Sequence, residues 1–392
     1  MKIMSLLNKK SSGHLVEFIR DIYQTNETIH LHEPTFSGNE KSYLTETIDS
    51  TFVSGIGRYV DLFESEVEGY TKTERAISVV NGTAALQSML YLSGVCSGDM
   101  VITQALTFVA TCNALHHIGA RPIFVDIELT SFSLCPDAVT EWLSDNAELD
   151  AQGACRHKKS GSAIKAVMPM HTFGHPAKLE ELVKICELWN LTLLEDAAES
   201  LGSFYKSQHT GTFGRFASVS FNGNKIITTG GGGMIMCRDK SDGARAKHVT
   251  TTAKVPHAYD FYHDEPGFNF RLPNVNAAIG CAQMEQLSQF LTMKRNLASK
   301  YEEYFSGSEY MFVKEPKYAR SNYWLNAVVC ADFDHRTALL NDSNSLGVMT
   351  RPVWQLMHRL PMFKNDIRDE LKNSIWAEKR LVNLPSSPPK RA

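Results

Sequence analysis

AIKAVMPMHTFGHPAKLEELVKICELWNLTLLEDAAES, residues 163–200, is the stretch that decides the fold. It begins with an apolar run, continues with a helical pattern from Lys178, and ends with a second apolar run, LTLLED, at 191–196. A strand, a helix and a strand in this order predict a parallel βαβ unit. In open parallel sheets ligands bind where strands end and helices begin, so the residues after each strand are the candidates for function.

The same alternation extends toward the N-terminus. Apolar runs AISVV (76–80), MVIT (100–103) and PIFVDI (122–127) are separated by helical patterns. After Phe216 the runs FASVSF and GGMIMC flank a loop and predict two neighbouring strands. We therefore expect an α/β fold, with a mostly parallel sheet between two layers of helices.

A second region follows this sheet. An amphipathic pattern from Val275 to about Phe305 predicts one long helix, and WLNAVVC and LGVMTRPV beyond it alternate with polar helical stretches. The N-terminal stretch EFIRDIY predicts a further helix that packs onto the body. We predict an N-terminal helical extension at 1–35, a large domain at 36–275 and a small C-terminal α/β domain at 276–392.

The composition is that of a folded globular protein. Of the 392 residues 43% are hydrophobic and 21% charged, which excludes disordered and fibrous classes. Forty Lys and Arg against 43 Asp and Glu give a net charge of −3, so no positive field exists for nucleic acid or an anionic membrane. No apolar run reaches the roughly 18 residues that span a bilayer, and no signal peptide is recognisable.

The eight cysteines point to a reducing compartment. They are never closer than 16 residues along the chain, so neither a CxxC metal pair nor a small disulfide framework is available. We therefore expect reduced thiols, no metal site and a cytoplasmic protein.

Two strand ends carry groups suited to a flat, phosphorylated ligand. Gly82 and Thr83 follow the run AISVV and open a helix, where free N–H groups and a hydroxyl can hold a phosphate. Taken alone, an ordinary helix N-cap explains them as well. Phe108 follows MVITQAL and is placed to lie against a planar ring, although phenylalanine is more often part of a core.

Two further ends carry charged groups. Glu195 and Asp196 follow the run LTLL, and carboxylates at the end of a buried strand are costly unless they are paired, capped or used. Here a ribose contact and a helix cap remain open. Lys225 lies in SVSFNGNKIITTGGGG (218–233), which is not a P-loop because the lysine precedes the glycines. A flexible glycine hairpin is the alternative.

Together the four pieces match one cofactor. Pyridoxal phosphate requires a lysine amine for a Schiff base, a carboxylate for its ring nitrogen, donors for its phosphate and a flat surface for its ring. Lys225, Asp196, the turn at Gly82 and Phe108 supply these groups, and their joint occurrence is far more specific than any one of them.

The chain resembles the sugar aminotransferases of the DegT/DnrJ/EryC1/StrS family, a branch of the fold-type I pyridoxal phosphate enzymes. The resemblance covers about residues 50–385, in the blocks VVNGTAAL, TFVAT, PIFVDI, MHTFGHP, LLEDAAESLGS, SFNGNKIITTGGGGM, GFNFRLPNVNAAIG and MTRPVWQLMHRLPMF. It implies the fold-type I architecture, a large domain with a mostly parallel sheet between helices and a smaller C-terminal α/β domain.

The resemblance also implies roles for individual residues. Lys225 would form the Schiff base with pyridoxal 5'-phosphate, and Asp196 would pair with the ring nitrogen. Phe108 would stack on the ring. The phosphate would be held by Gly82, Thr83 and Ser220.

Two matching positions concern the partner subunit and the ring oxygen. Asn269 of GFNFR corresponds to a residue that reaches the phosphate of the neighbouring subunit, which implies a homodimer with composite sites. Glu199 stands where many members carry glutamine, and a carboxylate there repels a phenolate oxygen unless it is protonated or engaged elsewhere. Glu199 is kept as a site residue of open role. His171 and His358 lie in matching blocks but are not counted as site residues, since a lone histidine is more often hydrogen-bonded structure than a catalyst.

Within the family, the N-terminal extension and the block MTRPVWQLMHRLPMF most resemble enzymes that aminate a UDP-linked 4-keto-6-deoxy-N-acetylhexosamine in bacillosamine or legionaminic acid pathways. The implied reaction is a ping-pong transamination with an amino acid donor, L-glutamate. Two alternatives remain, a pyridoxamine phosphate-dependent nucleotide-sugar dehydratase and a non-catalytic nucleotide-sugar-binding regulator. Lys225 argues against the dehydratase, in which histidine typically replaces it, and the Lys225 and Asp196 pair argues against the regulator.

Overall fold

The computed structural model describes residues 2–389, with side chains from residue 13 onward. Within this part of the chain there are twelve α-helices: α1 (Lys2–Tyr23), α2 (Glu40–Asp49), α3 (Arg58–Thr71), α4 (Gly82–Leu92), α5 (Val109–His117), α6 (Pro136–Asn146), α7 (Leu179–Leu188), α8 (Lys240–Thr250), α9 (Asn274–Met284), α10 (Leu287–Phe305), α11 (Phe333–Ser345) and α12 (Lys372–Glu378).

The same described residues form seventeen strands: β1 (Arg75–Val79), β2 (Met100–Gln104), β3 (Arg121–Val125), β4 (Ala147–Leu149), β5 (Cys155–His157), β6 (Ile164–Val167), β7 (Thr192–Asp196), β8 (Phe204–Tyr205), β9 (Gln208–His209), β10 (Phe216–Ser220), β11 (Gly233–Cys237), β12 (Met311–Phe312), β13 (Ala319–Arg320), β14 (Asn326–Val329), β15 (Arg351–Pro352), β16 (Ile367–Arg368) and β17 (Leu381–Leu384).

A large sheet organises the molecule, with the strand order β1-β11-β10-β7-β6-β2-β3-β16. All neighbouring strands are parallel except β11, which runs antiparallel to both β1 and β10. The predicted mostly parallel sheet is therefore confirmed. The connection between β10 and β11, residues 221–232, contains no crossover helix, which is the usual link between parallel strands, and β11 returns antiparallel to β10.

Helices cover both faces of this sheet. Val101 and Ile102 are adjacent in β2 and point to opposite faces, as successive residues of a strand must. Val101 packs with Met89 of α4 and Leu115 of α5, whereas Ile102 packs with Leu143 of α6. Because β2 is buried on both sides, its sequence, MVITQ, shows no alternation of apolar and polar residues.

A second, antiparallel sheet has the order β12-β14-β17-β15 and lies in the C-terminal region. The N-terminal helix α1 packs beside it, with Leu15 and Ile19 in one apolar cluster with Tyr301 of α10 and Val348. The C-terminal region also supplies β16, which pairs with β3 at the edge of the large sheet.

The single helix predicted from Val275 to about Phe305 is wrong, since α9 and α10 are separate helices. The break lies at Glu285 and Gln286, where the Gln286 side chain donates to Glu40 Oε1 at 2.8 Å and accepts from Ser37 Oγ at 2.6 Å. These contacts to Ser37 and Glu40 favour a turn at Gln286. The hydrophobic periodicity of the sequence along α9 and α10 does not predict this turn.

Across residues 2–389, no helix combines the length and the apolar character that crossing a bilayer requires.

Candidate active site

Seven of the eight predicted site residues line one cavity of about 260 Å³ at the carboxyl edge of the large sheet. They are Gly82, Thr83, Phe108, Asp196, Glu199, Ser220 and Lys225. The parallel strands β2, β7 and β10 all end at this edge, which is why residues far apart in the sequence meet there.

The start of α4 forms a cradle at one end of the cavity. Asn81 caps the helix by accepting a hydrogen bond from the Ala84 N–H at 2.8 Å. A Cβ added to Gly82 would lie 2.9 Å from Ser220 Cβ, so the helix start approaches β10 this closely only because the residue is glycine. Thr83 adds a hydroxyl beside the free N–H groups of the first turn, and this arrangement suits an anion such as phosphate.

Asp196 ends β7 and points into the cavity. Its carboxylate is buried and accepts hydrogen bonds from Thr111 Oγ1 at 2.7 Å and from the Ala198 N–H at 3.2 Å. Burial raises the pKa of Asp196, although the two donors and the charge of Lys225 oppose the increase. Within residues 13–389 no cation lies within ion-pair distance of this carboxylate, so it is available to a cationic donor on a ligand.

The neighbouring Glu195 points to the opposite side of β7 and is fully occupied. It accepts hydrogen bonds from three backbone N–H groups of the 211–214 loop at 2.7–2.8 Å and contacts His171 Nε2 at 3.0 Å. The Ala177 N–H donates to Nδ1 of the same imidazole, which assigns the hydrogen to Nε2. Burial raises the pKa of Glu195, but these donors outweigh it and hold the pKa below its ordinary value. Both ring nitrogens of His171 are therefore hydrogen-bonded away from the cavity, and of the two β7 carboxylates only Asp196 lines it.

Lys225 lies in the loop after β10 and has two neighbours in the cavity. Its Nζ lies 3.5 Å from Glu199 Oε1 and 4.0 Å from the centre of the Trp324 ring. The other oxygen of Glu199 accepts a hydrogen bond from the Phe173 N–H at 3.0 Å. Burial raises the pKa of Glu199, the Lys225 charge lowers it and the Asp196 charge raises it further. Glu199, whose role the sequence left open, is thus engaged by the cavity lysine.

Two tryptophans that were not predicted as site residues also line the cavity. Trp324 donates from Nε1 to the Asn224 carbonyl at 2.7 Å. The Trp354 ring lies edge-on to Phe108, with ring centres 6.3 Å apart. Both residues belong to motifs noted above, WLNAVVC and MTRPVWQLMHRLPMF, but neither follows a strand of the parallel sheet, so the strand-end rule does not find them.

Asn269 does not line this cavity. It is exposed, pairs with Thr251 in an isolated bridge, and accepts a hydrogen bond from Arg271 Nη2 at 3.2 Å. His358 also lies outside the cavity, in a short 3-10 helix at Met357–Arg359, where burial lowers its pKa to about 4.

The sequence model of the DegT/DnrJ/EryC1/StrS aminotransferase family matches residues 34–390. GDP-perosamine synthase of Escherichia coli O157:H7 is 35% identical over 365 residues, covering 92% of this chain and 93% of that protein. GDP-perosamine synthase of Vibrio cholerae is 32% identical over 365 residues, covering 92% and 94%. The solved structure of the aminotransferase TlmJ from Streptoalloteichus hindustanus is similar with a TM-score of 0.82 and 25% identity, covering 92% of this chain and 93% of that chain.

Proposed function

We propose a specific reaction for this chain, which belongs to the DegT/DnrJ/EryC1/StrS aminotransferase family and is a pyridoxal phosphate-dependent nucleotide-sugar aminotransferase. In this reaction an amino group moves from L-glutamate to the 4-keto carbon of a UDP-linked 6-deoxy-N-acetyl sugar. The observation that carries the proposal is the convergence of Lys225, Asp196 and the Gly82 cradle on one cavity. The two halves of the reaction follow one another by a ping-pong mechanism.

The cavity residues fit the cofactor. The phosphate would lie in the cradle of Gly82, Thr83 and Ser220, where a Cβ on Gly82 would occupy part of the space. The ring nitrogen would donate to Asp196, whose buried carboxylate makes no ion pair among the described side chains. Bound there, pyridoxal phosphate supplies an electron sink for the carbon that loses a proton.

The chain's own groups position and move the proton. The Lys225 amine is placed to hold the cofactor and, once released, to take the proton from the α carbon of the amino donor. Glu199, 3.5 Å away, keeps the amine on its side of the cavity. Asp196 keeps a negative charge at the ring nitrogen, held there by Thr111 and the Ala198 N–H.

Part of the remaining wall of the cavity is apolar. This part is formed by Phe108, Met170, Trp324 and Trp354. Such a surface suits the methyl group of a 6-deoxy sugar and the methyl of an N-acetyl group, both of which bury apolar area without needing a hydrogen bond.

The nucleotide has two candidates. The N-terminal extension and the block MTRPVWQLMHRLPMF favour a UDP-linked sugar, on which the proposal is based. The two GDP-perosamine synthases that are 35% and 32% identical to this chain favour a GDP-linked sugar instead.

We further propose a cytoplasmic homodimer with composite sites. Asn269 is exposed and outside its own cavity, as expected of a residue that serves a second copy. A surface groove beside it is lined by Ile56, His257 and Arg271, and Phe52 and Phe261 are among the large apolar side chains that are exposed. Exposed large apolar side chains are a feature of surfaces that bind a partner. The eight cysteines are all free, which suits a reducing compartment.

The proposal is tested by substrate choice. Purified protein loaded with pyridoxal phosphate is incubated with L-glutamate and a panel of UDP-, GDP- and dTDP-linked 4-keto sugars, and 2-oxoglutarate and the product mass are measured. We expect amination of the UDP-linked N-acetyl sugar, and none by the Lys225→Ala control. Turnover of the GDP-linked sugars alone would show that the substrate carries GDP and not UDP. A product that has lost water without gaining an amine would favour the dehydratase.

A further inference from the structure

Lys294 of α10 is a buried lysine that the proposed reaction does not use. Its side chain has 0% exposure, and within residues 13–389 its amine makes no ion pair with a carboxylate. Burial lowers the pKa of Lys294 well below its ordinary value. An apolar side chain would occupy the same place at lower cost, so the contacts of this amine call for an explanation.

The Lys294 amine joins three separate parts of the chain. It contacts His32 Nε2 at 2.9 Å and donates to the carbonyls of Trp324, at 3.1 Å, and Ser386. The two carbonyl oxygens accept from the amine, and the His32 imidazole completes its hydrogen-bonded contacts. His32 belongs to the segment after α1, Trp324 precedes β14, and Ser386 follows β17.

The segment that carries His32 is fixed in place. The Leu31 carbonyl accepts from the Ser386 N–H at 2.7 Å, and the Glu33 N–H donates to Ser387 Oγ at 2.8 Å. The family model matches from residue 34 onward, so His32 lies just outside the part of the chain that the model matches. Burial lowers the pKa of His32 well below its ordinary value, and the charges of Lys294 and then Lys225 lower it further.

Trp324 connects this junction to the cavity. Its backbone carbonyl is held by Lys294, its indole N–H is held by the Asn224 carbonyl, and its ring lies 4.0 Å from Lys225 Nζ. Lys294 is therefore two contacts away from the amine on which the reaction depends.

We propose that Lys294 is a positioning residue of the active site: by tying His32 and the Ser386 carbonyl to the Trp324 carbonyl, it holds the Trp324 ring against the Lys225 amine. The N-terminal segment thereby becomes part of the support of the cavity. The proposal rests on Lys225 as the lysine that holds the cofactor.

The test compares cofactor capture by four variants. Lys294→Met removes the amine, and His32→Leu removes the hydrogen-bonding imidazole, whereas His32→Gln keeps a hydrogen-bonding group at a similar reach. Lys300→Met is the matched control, since Lys300 is exposed on the same helix. The rate at which apoprotein captures pyridoxal phosphate is followed by absorbance, and borohydride reduction with peptide mass analysis locates the modified lysine.

We expect His32→Leu and Lys294→Met to capture the cofactor about tenfold more slowly, because a displaced reacting group loses its alignment. His32→Gln and Lys300→Met should behave as wild type. Combining Lys294→Met with Trp324→Phe should slow capture no more than the slower single variant does, since both changes act through the same ring.

Wild-type capture rates in Lys294→Met and His32→Leu would overturn the proposal, as would a double variant whose effects simply add. If Lys294→Met fails to fold, the comparison of His32→Leu with His32→Gln decides, because equal rates in that pair contradict the positioning role. If borohydride fixes the cofactor to a lysine other than Lys225 in the wild-type protein, the assignment of Lys225 is overturned, and the role of Lys294 with it.

Discussion

The Lys225 amine lies 3.5 Å from Oε1 of Glu199, so the two side chains are within ion-pair distance in the wall of the cavity. The second Glu199 oxygen is held by the Phe173 N–H at 3.0 Å. A carboxylate is thus accommodated where many family members carry glutamine, because the lysine and a backbone donor both engage it. Substituting Lys225 and Glu199 one at a time separates their contributions to turnover and to stability.

Lys225→Ala should lose all turnover, because no other amine lines the cavity within the described residues. We expect the variant to bind the cofactor noncovalently, which mass spectrometry after borohydride reduction distinguishes from a covalent adduct. Substantial transamination by Lys225→Ala would defeat the assignment.

Asp196→Asn keeps the shape of the side chain and removes its charge. We expect activity to fall roughly a hundredfold or more, about 3 kcal/mol of transition-state stabilisation, with little change in folding. The measurement is kcat beside a thermal unfolding curve. Wild-type turnover in the variant would require another carboxylate at the ring nitrogen.

Gly82→Ala should weaken cofactor binding. The added Cβ would lie 2.9 Å from Ser220 Cβ, so α4 and β10 must separate and the cradle must widen. We expect the Kd for pyridoxal phosphate to rise about tenfold, or roughly 1.4 kcal/mol. Gly223→Ala is the control, since a Cβ there meets no atom within 4 Å. Equal Kd values for the two variants would show that the turn at Gly82 does not hold the phosphate.

Glu199→Gln should change how stability depends on pH. Burial raises the pKa of Glu199 in the folded chain, so between the ordinary and the raised value the folded chain binds more protons than the unfolded chain. Stability of the wild-type apoprotein is then lost as the pH rises through this window, by about 1.4 kcal/mol for each unit of pKa difference.

Glutamine does not titrate, so the Tm of Glu199→Gln apoprotein should gain on that of wild type as the pH rises from about 5 toward 8. Glu187→Gln, at an exposed position of α7, serves as the control. A Tm difference that stays constant over this range would show that Glu199 does not titrate there.

Mixed dimers test the composite site. If Asn269 serves the phosphate of the partner subunit, Lys225→Ala and Asn269→Asp damage different halves of each site. Each homodimer should be inactive or severely impaired, since aspartate places a negative charge beside a phosphate. A mixed dimer collects both lesions in one site and none in the other, so random reassociation should restore roughly a quarter of wild-type activity.

Subunit exchange after gentle denaturation is verified by native mass spectrometry. Exchange without return of activity would place both residues in the same subunit's site.

The strand ends were predictable from sequence because parallel strands share one carboxyl edge. Once β7 and β10 are recognised as neighbours of one sheet, Asp196 and Lys225 must lie near each other, and the helix that starts at Gly82 follows from β1. The helix starts near Val109 and Lys178 were likewise predicted within one residue.

The remaining site residues depend on contacts that no local pattern encodes. Trp324 and Trp354 come from the C-terminal region and reach the cavity through the packing of that region on the large sheet. The break before α10 depends on Gln286 meeting Glu40, and the role of Lys294 depends on His32, which is 262 residues away in the sequence.

The placement of β11 between β1 and β10 has a consequence for synthesis on the ribosome. In the large sheet the neighbouring strand of β1 is β11, so residues 75–79 remain without this partner until 233–237 have emerged. At typical translation rates that interval lasts on the order of ten seconds, during which an apolar strand edge is exposed and a chaperone can hold it. The turn at Gly82, which we propose holds the phosphate, follows β1 directly and takes its final position only after most of the large sheet has been made. The nascent chain should therefore acquire its cofactor late, after β11 has paired with β1.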